Sequence, residues 1–367
     1  MSRVMVAMSG GVDSSVAAAL LVEQGHEVVG VTMKLWGGES DTGCCSISDV
    51  DDARRVADAL DIDHHVFNFG DEFDEHVIGP YLDAHAGGVT PNPCIECNRH
   101  LKFDVLLRRA DMLGFDTVAT GHHARLVTVP QAGAGQAGAG EEGAGERGAG
   151  LAGEKRLARG ADLAKDQSYV LYPLAGDALA RVSLPLGHMT KPEVREIAER
   201  LGLRTARKPD SQDVCFITRA EGRESFLRRR IPLRPATVVD TSGRVLGEVA
   251  AAETLTIGQR KGLDIGGGAG PRYVIDVDLG AERVVLGDAA DLLVAETTLT
   301  QMVWQNQPRV GEFLAQTSAH GEALPARITA DLRVVWETPH RRVAPGQSVV
   351  LYEDDTVVGG GIAVRET

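Results

Sequence analysis

The stretch Val4-Met5-Val6-Ala7-Met8-Ser9-Gly10-Gly11-Val12-Asp13-Ser14-Ser15 constrains the fold more than any other part of the chain. An apolar run suited to a buried parallel strand stops at Ser9, two glycines follow, and a helical pattern starts at Val12. Strand, glycine turn and helix in this order aim free backbone N–H groups at one point, with the helix dipole behind them. That is an anion site, and pyrophosphate is the usual anion. The pattern is neither the Walker P-loop nor the dinucleotide fingerprint. A plain strand–turn–helix can carry two glycines by chance. Glycines combined with Asp13 and the serines are much rarer, and they point to a nucleotide.

The following residues repeat the alternation. Residues 26–36 read as a second buried strand, 49–60 as a helix, 64–69 as a third strand and 116–121 as a fourth, preceded by a helix through Phe103, Leu106, Leu107 and Ala110. Strands alternating with helices give a parallel sheet covered on both faces, with ligands at its C-terminal strand ends. Met33 and Gly121 fall near such ends and can reach a nucleotide held at Ser9–Ser15. Residues 131–150 are Gly/Ala-rich with little to bury, and read as a flexible surface insertion between 124–129 and 155–159, which can pair as a hairpin. Residues 191–201 form a clear helix. Beyond Pro209 short strands and Gly turns take over, at 237–249, 273–277 and 283–286, and after Leu292 helical patterns vanish. The expected domains are 1–208, 209–289 and 290–367, the last an all-β barrel or sandwich.

A chain of 367 residues exceeds one ordinary core, and 43% hydrophobic with 25% charged residues is an ordinary globular composition. No stretch approaches 18 apolar residues, so a membrane span is not expected, nor is a secretory signal, and a cytoplasmic location is. The formal charge of −14 is unevenly spread. Acids crowd 39–75, whereas 204–234 is rich in arginine, including Arg228-Arg229-Arg230. Such a run is either a nucleic-acid surface or a solvated face.

Five cysteines, at 44, 45, 94, 97 and 215, do not make a secreted disulfide framework. Thr90-Pro91-Asn92-Pro93-Cys94-Ile95-Glu96-Cys97-Asn98-Arg99 reads as a proline-stiffened loop just before a helix, whose N-terminus can depress a thiol pKa below its free value of about 8.5. Cys97 is therefore a candidate nucleophile. Half a zinc site, completed by Cys44 and Cys45, is the alternative. Cys215, flanked by Val214, Phe216 and Ile217, reads on its own as a small buried residue.

The S-G-G-x-D-S-S turn is similar to the signature of the ATP pyrophosphatases, in which Ser9, Ser14, Ser15 and the backbone hold phosphates and Asp13 acts near the metal. SGGVDSS, TPNPCIECNRHLKF, ATGHHAR, AKDQSYVLYPL, SLPLGHMTKPEVREIAERLGL, KPDSQDVCFI and TIGQRKGL occur in the order found in the tRNA-specific 2-thiouridylases, and the chain resembles that family. The resemblance runs to about residue 275 and continues more weakly beyond. It implies a parallel-sheet α/β ATP-pyrophosphatase domain, a small central domain and a C-terminal β-barrel. It implies that Cys97 is the nucleophile and Cys215 carries the persulfide. Ala7, Met8, Ser9, Gly10, Gly11, Val12, Asp13, Ser14, Met33 and Gly121 would bind ATP. Asn92, Pro93 and Cys94 would face the target base, while His122, Lys165, Asp166, Gln167 and Gln347 would contact tRNA. The chain departs from the family at Cys94, where Asp is commoner. It also departs at Arg327-Ile328, which only partly matches an Arg-Tyr pair implied to touch tRNA.

The implied reaction uses ATP and Mg2+ to adenylate the C2 oxygen of the wobble uridine (position 34), then replaces it with persulfide sulfur. The implied partners are tRNAs for Lys, Glu and Gln and a persulfide-donor protein or cysteine desulfurase, with the enzyme a monomer. Three rivals stand beside this reading. A sulfur transferase acting on another tRNA uridine is the closer one, but an appended rhodanese-like region is not seen in the sequence. An ATP pyrophosphatase amidating a small molecule explains the turn but leaves Cys97, Cys215 and the β-domain idle. An RNA-binding module keeping ATP as a structural ligand would release no AMP and pyrophosphate.

Overall fold

The computed structural model describes residues 1–35, 46–130, 153–209, 214–217, 221–263, 265 and 270–365. The expected insertion at 131–150, the cysteine pair at 44 and 45, and residues 210–213 of the Cys215 segment lie outside the described residues.

The glycine turn sits where the sequence requires it. Strand β1 (Arg3–Ala7) runs into the turn and the helix α1 (Val12–Glu23) leaves it. With β2 (Glu27–Lys34), β3 (Asp63–Asn68), β4 (Thr117–Thr120) and the short β7 (Val182–Ser183), β1 builds a five-stranded sheet in the order β3-β2-β1-β4-β7. Every pairing in it is parallel. Val4, Met5 and Val6 are buried because both faces of β1 are covered, as an all-parallel sheet demands. The helix α2 (Ile47–Ala59) opens with a capping box made by Ser46 and Asp49. The Lys191–Arg200 helix opens with another, made by Thr190 and Glu193, with Pro192 in its first turn.

Two β units follow. Strands β8 (Ala236–Asp240), β9 (Val245–Val249), β10 (Tyr273–Asp278) and β11 (Arg283–Gly287) form a four-stranded sheet in the order β10-β11-β8-β9. Gly243 adopts φ +85° in the turn between β8 and β9, a conformation that glycine tolerates best. Strands β12 (Leu293–Trp304), β13 (Gly311–Gln316), β14 (Leu324–Ile328), β15 (Arg333–Arg341), β16 (Ser348–Glu353) and β17 (Thr356–Ala363) run in the order β12-β15-β14-β13-β16-β17, and the β12–β17 pairing closes them into a six-stranded barrel.

The hairpin expected around the insertion is present, with β5 (Ala124–Pro130) and β6 (Gly153–Arg159) in register from Ala124↔Arg159 to Pro130↔Gly153. It extends the barrel's sheet by pairing Ala158 with Thr356 of β17. Buried tyrosines reinforce this joint. Tyr169 donates to Ser348 O at 2.8 Å, the Tyr172 and Ser348 hydroxyls lie 3.2 Å apart, and the Arg159 guanidinium lies 3.8 Å over the Tyr352 ring. The first and last thirds of the chain thereby share one hydrophobic core.

Candidate active site

At the C-terminal ends of β1, β2 and β4 lies a cavity of about 440 Å3. Ala7, Met8, Ser9, Asp13 and Ser14 line it from the glycine turn, Met33 from the end of β2, and Gly121 from the end of β4. Pro93, Cys94 and Cys97 line a second wall and Cys215 a third. His122, Lys165, Asp166 and Gln167 are also at the cavity, and Ala319 and His320 reach it from the barrel domain. Three segments far apart in sequence therefore bring the phosphate turn and three of the five thiols to one space.

The turn's geometry depends on two close approaches. Gly10 has φ +70°, and a Cβ there would stand 2.2 Å from Asp49 O. At Gly121 a Cβ would stand 2.6 Å from Ser14 N, so this glycine lets β4 press against the turn. Lys208 Nζ donates to Gly10 O at 2.9 Å, to Asp49 Oδ1 at 2.6 Å and to Asp52 Oδ2 at 2.8 Å. Burial works against its charge, but the two carboxylates outweigh that and raise its pKa. Gly10, Gly11 and Val12 shape the turn and are not among the residues lining the cavity; the Val12 side chain belongs to the core. Ser15 departs from its expected role. It is fully buried, donates to Gly11 O at 2.7 Å and accepts from Thr205 Oγ1 at 3.1 Å, so it braces the turn from behind.

Asp13 is held by two residues that the sequence reading did not single out. Lys191 Nζ donates to Asp13 Oδ1 and Oδ2, both at 2.7 Å, and His123 Nε2 lies 3.1 Å from Oδ1. Burial opposes ionisation of Asp13, but the His123 and Lys191 hydrogen bonds outweigh it and hold the carboxyl below its ordinary range. Asp13 is the residue expected to act near a metal, and its carboxylate is engaged by Lys191 and His123. Among the described residues no group of three or more His, Cys, Asp or Glu is arranged to hold a metal ion, whereas Mg2+ at a nucleotide is ordinarily held by one or two carboxylates with the phosphates and water. A signal for Lys191 was available: a lysine opening a Pro-containing capping box, in a position that turns out to be buried.

His122 is kept neutral. Burial is the main cause, and nearby Lys102 and His123 add to it, holding its pKa well below 6.5. Lys102 Nζ can only donate, so His122 Nε2, 3.3 Å away, accepts, and Nδ1–H donates to Thr120 Oγ1 at 2.7 Å.

The cysteine segment differs from expectation. A continuous helical run begins at Pro93, with the segment Pro93–Glu96 followed by a π-helical stretch Cys97–Val105 and then Leu106–Met112. Cys94 and Cys97 thus lie inside the helix, three residues apart, and not in a loop before it. The expected base contact Asn92 caps this helix, its Oδ1 accepting from Cys94 N at 3.1 Å. Asn98 donates through Nδ2 to Val170 O at 3.0 Å, while its buried Oδ1 has no partner among the described residues.

Several expected tRNA contacts have internal duties. The Asp166 carboxylate, almost fully buried, accepts from Gly160 N, Ser168 N, Ser168 Oγ and Arg159 Nη1, so it organises its own loop. Gln167 Oε1 accepts from His123 N at 2.9 Å. Gln347 Nε2 donates to Thr90 O at 2.6 Å, tying the barrel to the loop before Asn92. Ile328 is buried in the barrel core, whereas Arg327 is exposed beside Glu312. Neither of these last three residues lines the cavity. In the arginine run, Arg228 pairs with Glu224 at 2.6 Å, Arg229 pairs with Glu221, and Arg230 lies 3.9 Å over the Phe226 ring.

Comparison with known proteins decides the family. The family described as "tRNA methyl transferase HUP domain" matches residues 2–219, "tRNA methyl transferase PRC-barrel domain" matches 224–288, and "Aminomethyltransferase beta-barrel domain" matches 294–363. The tRNA-specific 2-thiouridylase MnmA of Herpetosiphon aurantiacus is 44% identical over 372 residues, covering 98% of this chain and 98% of that protein. The chain belongs to the tRNA-specific 2-thiouridylase family. The MnmA of a Roseiflexus strain is also 44% identical, over 381 residues and the full length of both chains. The three family segments follow the parallel-sheet unit, the four-stranded sheet and the six-stranded barrel in order. Among the described residues no helix is long and apolar enough to cross a membrane.

Proposed function

We propose that this enzyme is a tRNA sulfurtransferase that adenylates the C2 oxygen of the wobble uridine with ATP and replaces it with sulfur from a persulfide on Cys215. The observation that carries this reading is the single cavity shared by the phosphate turn, Cys97 and Cys215. An amidating ATP pyrophosphatase has no use for two thiols beside its nucleotide.

The residues divide the work. The Asp13 and Ser14 end of the turn, with the Ser9 and Ser14 hydroxyls, faces the phosphates, and Lys191 stands beside Asp13 to meet the charge that develops as pyrophosphate leaves. A pre-set cation costs no reorganisation at that moment. Adenylation turns the C2 oxygen, a poor leaving group, into AMP. The Cys97 thiolate then attacks the inner sulfur of the Cys215 persulfide, and the hydrosulfide set free replaces AMP on C2. A base must leave the anticodon stack to reach a site this enclosed.

The same reading expects a cytoplasmic monomer, tRNAs for Lys, Glu and Gln as substrates, and a persulfide-donor protein. It also assigns the domains as 1–208, 209–289 and 290–367. The test is release of AMP and pyrophosphate from ATP. Release should require unmodified tRNA and should cease with a transcript carrying cytidine at position 34. Release without tRNA, or equal release with the cytidine transcript, would contradict the assignment.

A further inference from the structure

Among the described residues three thiols line the cavity, and the reaction just described uses two. Cys94 is the third, and it is placed by design of the local backbone. Pro93 opens the helical run, Asn92 caps it through the Cys94 N–H, and Cys97 follows three residues later. Residues at this spacing stand about 5–6 Å apart at Cβ on one helix side, close to the roughly 3.5–4.5 Å of a disulfide. Cys97 is buried, whereas Cys94 is only half-buried. Cys215, like Cys94, is half-buried, but it belongs to a different segment, so a Cys97–Cys215 disulfide formed in turnover would tie two walls of the cavity together and keep Cys215 from accepting sulfur.

We propose that Cys94 is the resolving thiol of this site, moving the disulfide from the Cys97–Cys215 pair, which joins two segments, to a Cys94–Cys97 pair within one helical run. The proposal rests on the assignment of Cys97 and Cys215 above. After hydrosulfide has left, the Cys94 thiolate attacks Cys97 Sγ. The Cys97–Cys215 bond breaks and its electron pair leaves on Cys215 Sγ, which can take the proton Cys94 gave up. One disulfide replaces another, so the exchange involves no net oxidation. Cys215 is then ready to accept sulfur again, and a dithiol reductant supplies two electrons and two protons to Cys94–Cys97. Attack at Cys97 is favoured over attack at Cys215 because Cys94 and Cys97 are fixed on one helix, which raises their effective concentration.

The test is non-reducing peptide mapping of the full-length chain, acid-quenched and alkylated, in two arms. In the first, protein with a pre-formed Cys215 persulfide makes a single turnover with ATP and unmodified tRNA in the absence of reductant. Wild type should end with Cys94–Cys97 as the main linkage, exceeding Cys97–Cys215 by tenfold or more. Cys94→Ser should stop at Cys97–Cys215, and its multiple-turnover rate with a limiting dithiol protein reductant should fall at least tenfold. Cys94→Asp should stop at the same linkage, so that loss of the thiol is separated from loss of polarity. In the second arm diamide oxidises the reduced protein without ATP or tRNA. Wild type should again collect at Cys94–Cys97, and Cys215→Ser should form that linkage too. If tRNA is thiolated but Cys97–Cys215 persists in wild type, and Cys94→Ser recycles as fast, the resolving role is overturned. If the second arm gives Cys94–Cys97 while tRNA is never thiolated, the functional reading fails and the thiol pair stands.

Discussion

Lys191 Nζ stands 2.7 Å from each carboxylate oxygen of Asp13, a residue 178 positions earlier in the chain. The pair joins the phosphate turn to the helix that opens at Lys191. It makes Asp13 an anchor for a cation at the cavity that the phosphate turn lines.

Replacing Lys191 by Met should lower tRNA-dependent pyrophosphate release about 100-fold or more, the range seen when one pre-placed charge partner is removed. It should also destabilise the fold, by less than the roughly 3–5 kcal/mol of a fully buried broken pair, because the partly buried Asp13 carboxylate keeps only His123 as a partner. The double variant Asp13→Asn/Lys191→Met should be less destabilised than the sum of the singles. Urea denaturation of the four proteins checks this, and strict additivity would mean that the two side chains act separately.

The Asp13 pKa carries a sign for stability. Its carboxyl is held below the ordinary value despite burial, by His123 and Lys191. Its contribution is therefore fully present above the unfolded value of about 3.9 and is lost as pH falls through the folded one. The stability difference between wild type and Asp13→Asn should be constant from pH 7 to 5 and shrink in more acidic solution.

His85 works in the opposite range. Burial is the main cause that lowers its pKa to about 4, with its Nδ1 3.0 Å from Glu253 O. As pH falls below about 6.5 the unfolded chain takes up a proton that the native His85 refuses. Native stability should fall by roughly 2 kcal/mol more between pH 7.5 and 5 in wild type than in His85→Gln. Equal pH dependence of the two denaturation midpoints would overturn the assignment of this histidine as neutral.

Register predicts tolerance at the hairpin. Pro130 and Gly153 are paired opposite one another, so a two-residue turn can replace 131–152 without moving β5 or β6. The shortened chain should keep its melting temperature within a few degrees, as followed by circular dichroism. A large drop would show that those residues stabilise the joint between the hairpin and the barrel.

Local pattern carried much of this architecture. Four of the five parallel strands, the helix at Lys191–Arg200, the β8–β9 hairpin and the arms of the β5–β6 hairpin follow from apolar runs, caps and glycines within short windows. What was hidden depends on contacts between distant residues. Nothing near Asp13 announces Lys191 or His123, and nothing near Ala158 announces its pairing with Thr356. Ser15 resembles its neighbours Ser9 and Ser14 in type, yet helix phase turns it inward to Thr205. Asp166 and Gln167 read as polar residues available to a ligand, but their acceptor atoms are engaged by nearby backbone and side-chain donors. The cysteines were visible as residues but not as neighbours, since Cys215 reaches the cavity through tertiary packing alone.

The most direct test of the central claim combines nucleoside mass spectrometry with nucleotide analysis. The enzyme is incubated with unmodified tRNA, ATP, Mg2+ and an isotopically labelled persulfide donor. The account predicts one labelled 2-thiouridine for each AMP and each pyrophosphate formed in wild type, and none in Cys97→Ser or Cys215→Ser. Labelled 2-thiouridine in undiminished yield from either serine variant, or AMP and pyrophosphate formation with the uridine left unchanged in wild type, would contradict it.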